Sequence, residues 1–93
     1  MMRFSIHYRP VAAAVLRNLA PEVKTAVRRG IDELIEDPFL GKELGGQLAG
    51  FRSHRARRYR IIYQVNETGR SLDVYYVAPR RDVYEAFTEL LRG

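Results

Sequence analysis

Between positions 52 and 60 the chain places five arginines and one histidine: Arg52, His54, Arg55, Arg57, Arg58 and Arg60. Guanidinium is planar, keeps its charge at any physiological pH, and offers a fork of donors that matches phosphate oxygens. The run then passes into Tyr59-Arg60-Ile61-Ile62-Tyr63-Gln64-Val65, which alternates like a strand that needs one buried face. Guanidinium groups mounted on a rigid sheet point to a phosphate-rich partner. Alternation puts Tyr59, Ile61, Tyr63 and Val65 on one side and Arg58, Arg60, Ile62 and Gln64 on the other. Arg52 and His54, two apart, share a face by the same rule. A metal centre is not indicated, because the chain has no cysteine and His7 and His54 lack ligand spacing.

Composition bounds the scaffold behind this surface. Ninety-three residues with 46% hydrophobic content are expected to form one globular domain, residues 1–93. The net charge is +5, and residues 46–93 contribute +4 of it, nine Lys/Arg against five Asp/Glu. An anionic partner should therefore meet the second half. The longest apolar run, Val11 to Leu16, is far short of the roughly 20 residues of a membrane span, so no membrane role is expected. The Met1-to-His7 start lacks the apolar segment of a signal peptide, and a cytoplasmic protein is expected.

Arg3 to Tyr8 alternates as a strand with Phe4, Ile6 and Tyr8 on one face. Pro10 opens a helix over Val11 to Leu19, with Val11, Val15 and Leu19 inward, and Asn18-Leu19-Ala20 connects it to a second. From Pro21, Val23, Ala26, Val27, Gly30, Ile31, Leu34 and Ile35 recur at helical spacing until Asp37-Pro38. An irregular glycine-rich connector follows, pinned by Leu40, Leu44 and Leu48. Three strands come next, near 50–55, 58–65 and 71–78, with tight turns at Ala56-Arg57 and Asn66-Glu67-Thr68-Gly69. Asp82 with Glu85 forms a capping-box pattern for a last helix whose stripe is Val83, Phe87, Leu90 and Leu91. The expected fold is α+β in the order β-α-α-β-β-β-α. A helical hairpin and a C-terminal helix lie against one side of a four-stranded, mainly antiparallel sheet. Tyr75 and Tyr76 should point to opposite faces.

Three segments together carry a family resemblance. They are the connector with Asp37-Pro38, Gly41-Lys42, Leu44, Gly46, Leu48 and Gly50, the central Arg58-to-Val65 strand, and Arg80-Arg81-Asp82-Val83-Tyr84. With this element order, the chain resembles the RelE/ParE superfamily, the toxins of type II toxin-antitoxin modules, in its RelE-like branch. The resemblance implies a toxin that is a metal-independent endoribonuclease. Such enzymes cut mRNA, usually on the ribosome, by 2′-hydroxyl attack on the adjacent phosphate, and so inhibit translation. It also implies a cognate antitoxin and no cofactor. This chemistry requires a proton acceptor, cations facing the phosphate and a donor for the leaving oxygen.

Within the resemblance, Arg52 and His54 fall where such nucleases commonly hold basic residues. His54 is read as general base, or else as an exposed histidine that only touches RNA or antitoxin. Arg60 matches the arginine at the scissile phosphate. Arg81, or Arg80 if the register slips by one, matches a second arginine that stabilises the transition state. Tyr84 is read as the acid or as a stacking platform, because Phe87, where some relatives hold tyrosine, has no proton to give and reads as core. Arg55, Arg57 and Arg58 are read as backbone contacts to RNA. For such chemistry the sheet arginines and those before the last helix must converge on one phosphate. Two other readings are a ParE-like toxin that inhibits DNA gyrase without nuclease activity, and a module that merely binds RNA.

Overall fold

The computed structural model describes residues 4–93, so the Arg3 start expected for the first strand lies outside the described residues. Strand β1 spans Ser5–Tyr8, helix α1 Pro10–Arg17 and helix α2 Pro21–Glu36. A two-residue strand β2, Lys42–Glu43, and a 3-10 turn, Gly46–Leu48, occupy the connector. Strands β3 (Arg52–Ala56), β4 (Tyr59–Asn66) and β5 (Ser71–Pro79) lead to helix α3, Val83–Arg92.

The strands form one sheet in the order β1-β5-β4-β3-β2, antiparallel except where β1 runs parallel to β5. The α+β class and the mainly antiparallel sheet are as the sequence implies, but the sheet has five strands, not four. The extra strand is β2, whose two residues pair with Ser53 and Arg52. Two residues are too few to show a period.

A second correction concerns the layers. Helices α1 and α2 cover one face, where Ala12, Val27, Ile31 and Leu34 meet Ile61, Tyr63, Leu72, Val74 and Val77. Helix α3 lies on the opposite face, where Val83 and Phe87 meet Ile62, Ala78, Phe51 and Leu48. The helices therefore sandwich the sheet instead of sharing one side, because Ile62 and Ala78 give its second face an apolar strip of its own. Burying a side chain such as Ile61 or Leu34, both fully inaccessible, stabilises the fold by about 1.5–3 kcal/mol.

Local departures have local causes. Helix α1 ends at Arg17 and turns Ala12 inward, leaving Val11 exposed. Leu48 is buried and Leu44 half-buried, but Leu40 is 49% exposed and does not pin the connector. Tyr63 does that work: its hydroxyl donates to the Pro38 carbonyl at 2.7 Å and accepts from the Gly41 amide at 3.0 Å. The β3–β4 turn falls on Arg57-Arg58, one residue later than expected. The expected capping box is absent, since Asp82 makes no side-chain cap bond. Leu90 and Leu91 are exposed on α3, so its buried stripe reduces to Val83 and Phe87.

A bulge in β5 changes the fate of two tyrosines. Ile62 pairs with Tyr76 but Tyr63 with Val74, so Tyr75 is the extra residue. Tyr75 and Tyr76 therefore both reach the α3 side, instead of opposite faces, and pack around Phe87 at ring separations of 6.2 and 5.9 Å. Phe87 is 2% exposed, a packing residue as its place in the helical stripe implies.

Candidate functional site

Pairing across the β3–β4 hairpin decides which basic residues can meet. Ala56 pairs with Tyr59, Arg55 with Arg60, His54 with Ile61 and Ser53 with Ile62. Residues directly opposite share a face, so Ser53, Arg55 and Arg60 belong to the α3 side and His54 belongs to the helical-hairpin side with Ile61. Arg52 and His54 do share a face, as strand alternation requires, but it is not the face of Arg60.

Both of those residues are engaged where they lie. The Arg52 guanidinium donates to the Gly41 carbonyl at 2.6 Å and the Phe39 carbonyl at 3.3 Å, and pairs with Glu43 at 3.2 Å. It also lies over the Phe39 ring at 5.0 Å, a brace that ties the connector to β3. His54 Nε2 lies 2.8 Å from a Glu33 carboxylate oxygen on α2. A carboxylate only accepts, so Nε2 donates in this contact, and the ring is tied to α2 through it. Arg52 and His54 are thus held on the face opposite to that of Arg60.

On the α3 side a different set assembles. Ser53, 1% exposed, presents its hydroxyl to Tyr84, whose O–H donates at 3.1 Å, and to Arg60, whose Nη1 donates at 3.5 Å. The Lys42 ammonium lies 5.5 Å from the centre of the Tyr84 ring. Arg60 and Tyr84 therefore meet through a buried serine, with a lysine beside them. Neither Ser53 nor Lys42 was among the expected site residues. The signal for Ser53 was its parity with Arg55 in the strand, and β2 is what brings Lys42 opposite Ser53.

The arginines expected to contact backbone lie next to this cluster. Arg55, Arg57 and Arg58 from the hairpin, and Arg80, Arg81 and Asp82 from the entrance to α3, line one open hollow of about 710 Å³. A backbone hydrogen bond joins the two segments, the Arg80 amide donating to the Arg58 carbonyl at 2.6 Å. Among the described residues, Arg57, Arg58, Arg80 and Arg81 have no ion-pair partner, and Arg55 donates only to the Arg57 carbonyl at 3.4 Å. Arg57 sits at φ 57°, the left-handed region, so the hairpin tip holds an arginine in a conformation that glycine adopts more easily. Unpaired guanidiniums crowded round a hollow repel one another and would be stabilised by an anion. Arg55, Arg57 and Arg58 thus share one hollow with Arg80 and Arg81, and Arg60 is not among its lining residues. Arg60 lies one strand position away beside Arg55. Among the described residues, no three His, Cys, Asp or Glu side chains cluster for a metal ion, and no helix is long and apolar enough to cross a membrane.

Comparison with known proteins agrees with this geometry at the level of fold and family. Toxin RelG of Mycobacterium tuberculosis is 28% identical over 85 residues, spanning 89% of this chain and 98% of that protein. The toxin-antitoxin complex RelBE2 of the same organism contains a chain that superposes with a TM-score of 0.78 at 26% identity, over 85% of this chain and 100% of that one. A free E. coli RelE toxin variant shares the fold, with a TM-score of 0.78 and 21% identity over 98% of this chain and 97% of its own. The family model for the ParE toxin of the type II toxin-antitoxin system, parDE, matches residues 6–84. This chain belongs to that family, and so to the RelE/ParE superfamily of type II toxin-antitoxin toxins.

Proposed function

We propose that this toxin cuts RNA, holding the scissile phosphate in the hollow between the hairpin and α3. The observation that carries the reading is the convergence of five arginines, none with a side-chain partner among the described residues, on one open hollow beside Arg60, Ser53 and Tyr84. Arg80 and Arg81 clamp the phosphate and stabilise the charge that develops as the 2′-hydroxyl attacks. Arg55, Arg57 and Arg58 hold the flanking backbone. Tyr84, oriented by Ser53 and flanked by Arg60 and Lys42, supplies the hydroxyl that exchanges protons with the reacting oxygens. The substrate is mRNA on the ribosome. The natural brake is a cognate antitoxin whose acidic, partly disordered segment folds over the basic face.

A second reading is gyrase inhibition. It is favoured by the match to the ParE family model and by the engagement of Arg52 and His54 in structural pairs. Incubating the purified toxin with naked mRNA, with ribosome-bound mRNA and, separately, with gyrase and plasmid distinguishes the two. The nuclease reading expects RNA fragments with 5′-hydroxyl and 2′,3′-cyclic phosphate ends and unaffected supercoiling. Intact RNA with blocked supercoiling would replace it by the gyrase reading.

A further inference from the structure

The hollow does not stop at the hairpin tip. Arg55, Arg57 and Arg58 also line a second depression of about 510 Å³ on the far side of the tip, against the start of α2. Pockets that hold small ligands run from about 300 to 1,000 Å³. Val23, Ala26 and Tyr59 give this depression an apolar floor, and Glu22 stands at its rim. Glu22 makes no ion pair or side-chain hydrogen bond among the described residues.

We propose that this depression is a base-reading subsite. It takes a nucleobase from the single strand whose phosphate lies in the adjoining arginine hollow, and it favours a base bearing an exocyclic amino group. The inference rests on the RNA reading above and adds to it a determinant of specificity. Continuity carries the first half: the same three arginines face both depressions, so a backbone crossing the tip stays within their reach while a base turns down onto the apolar floor. Unstacked RNA bases are held in this way, stacked on aromatic rings or guanidinium planes and read at their Watson–Crick edge. Glu22 carries the second half. A carboxylate only accepts hydrogen bonds, so it pairs with the amino group of cytosine and opposes the carbonyl that uracil presents at the same position. The same carboxylate argues against an acidic peptide as the occupant, since like charges would meet at the rim.

Oligo(C) and oligo(U), uniformly 2′-O-methylated to block cleavage, are titrated into the full chain at fixed ionic strength and followed by fluorescence anisotropy. The wild type is expected to bind oligo(C) about fivefold more tightly, the effect of one exposed hydrogen bond to a charged group. Glu22→Gln, whose amide both donates and accepts, should bring the ratio close to one. Arg81→Ala should weaken both RNAs by a similar factor and leave the ratio intact. If Glu22→Gln leaves a cytosine preference unchanged, or the wild type shows none, the base subsite falls while the phosphate hollow stands. If neither RNA binds, both fall.

Discussion

The two faces of the sheet carry basic residues of the same kind with opposite fates. On the helical-hairpin side, Arg52 is bound to two carbonyls and Glu43, and His54 to Glu33. On the α3 side and at the hairpin tip, Arg57, Arg58, Arg80 and Arg81 have no ion pair among the described residues. Residue type alone does not separate the groups. Whether the fold supplies a partner does: a paired cation holds structure together, and an unpaired cluster is kept only at the cost of mutual repulsion. Removing members of the first group should affect stability, and removing members of the second should affect activity.

The largest effect is expected in the unpaired group. Arg81→Ala should lower RNA cleavage by about 10²- to 10³-fold, the usual cost of deleting one donor to a transition-state anion, with melting temperature unchanged. A single-turnover cleavage assay beside a thermal melt checks both halves. Equal losses in both would erase the distinction between the faces.

Gly41→Ala tests the connector. A Cβ there would lie 2.6 Å from the Tyr63 hydroxyl and 2.8 Å from the Ser53 carbonyl oxygen, so backbone must shift. Overpacking of this kind costs about 1–3 kcal/mol, read as a lower denaturant midpoint.

Tyr63→Phe should cost about 1–3 kcal/mol at neutral pH, because it strips the buried hydroxyl from the Pro38 carbonyl and the Gly41 amide. It also has a pH signature. Burial pushes the Tyr63 phenol above its ordinary value of 10.0; the Gly41 amide and the Arg52 charge oppose this, and Asp37 adds to it. A folded-state pKa raised in this way favours the protonated phenol in the native protein. Its contribution is complete below about pH 10 and is lost as pH rises through the higher folded value. The stability gap between wild type and Tyr63→Phe should therefore narrow above about pH 10, and denaturant titrations at pH 7 and above 10 would reveal a gap that stays constant.

The smallest effect is expected at His54. Its partner Glu33 is 60% exposed, so the pair itself contributes less than about 1 kcal/mol, and His54→Ala should leave cleavage within about twofold of wild type. A large fall in cleavage with an unchanged melt would return His54 to the site.

The repeating elements were legible because their signal is local. The period of Val23 to Ile35 marks α2, and the alternation of Tyr59 to Val65 marks β4. The sequence singles out the arginines and Tyr84 of the candidate site, but which of them share a face was not drawn from it. In a hairpin with a two-residue turn, paired positions sum to an odd number, so Arg60 faces Ser53 and Arg55 and never His54. Sliding the turn from Ala56-Arg57 to Arg57-Arg58 leaves that parity intact, so the sequence already held the correction. The joint facing of Tyr75 and Tyr76 was not legible, since a bulge reverses parity without a local marker. Nor was β2, which aligns Lys42 with Ser53 only because Arg52 and Tyr63 anchor the connector from a distance.

The most direct test is to map transcript ends in cells expressing the wild type, Arg81→Ala or His54→Ala. New 5′-hydroxyl ends should appear with the wild type and with His54→Ala, and vanish with Arg81→Ala. Ends that persist without Arg81, or that disappear with His54, would contradict the assignment of activity to the unpaired face.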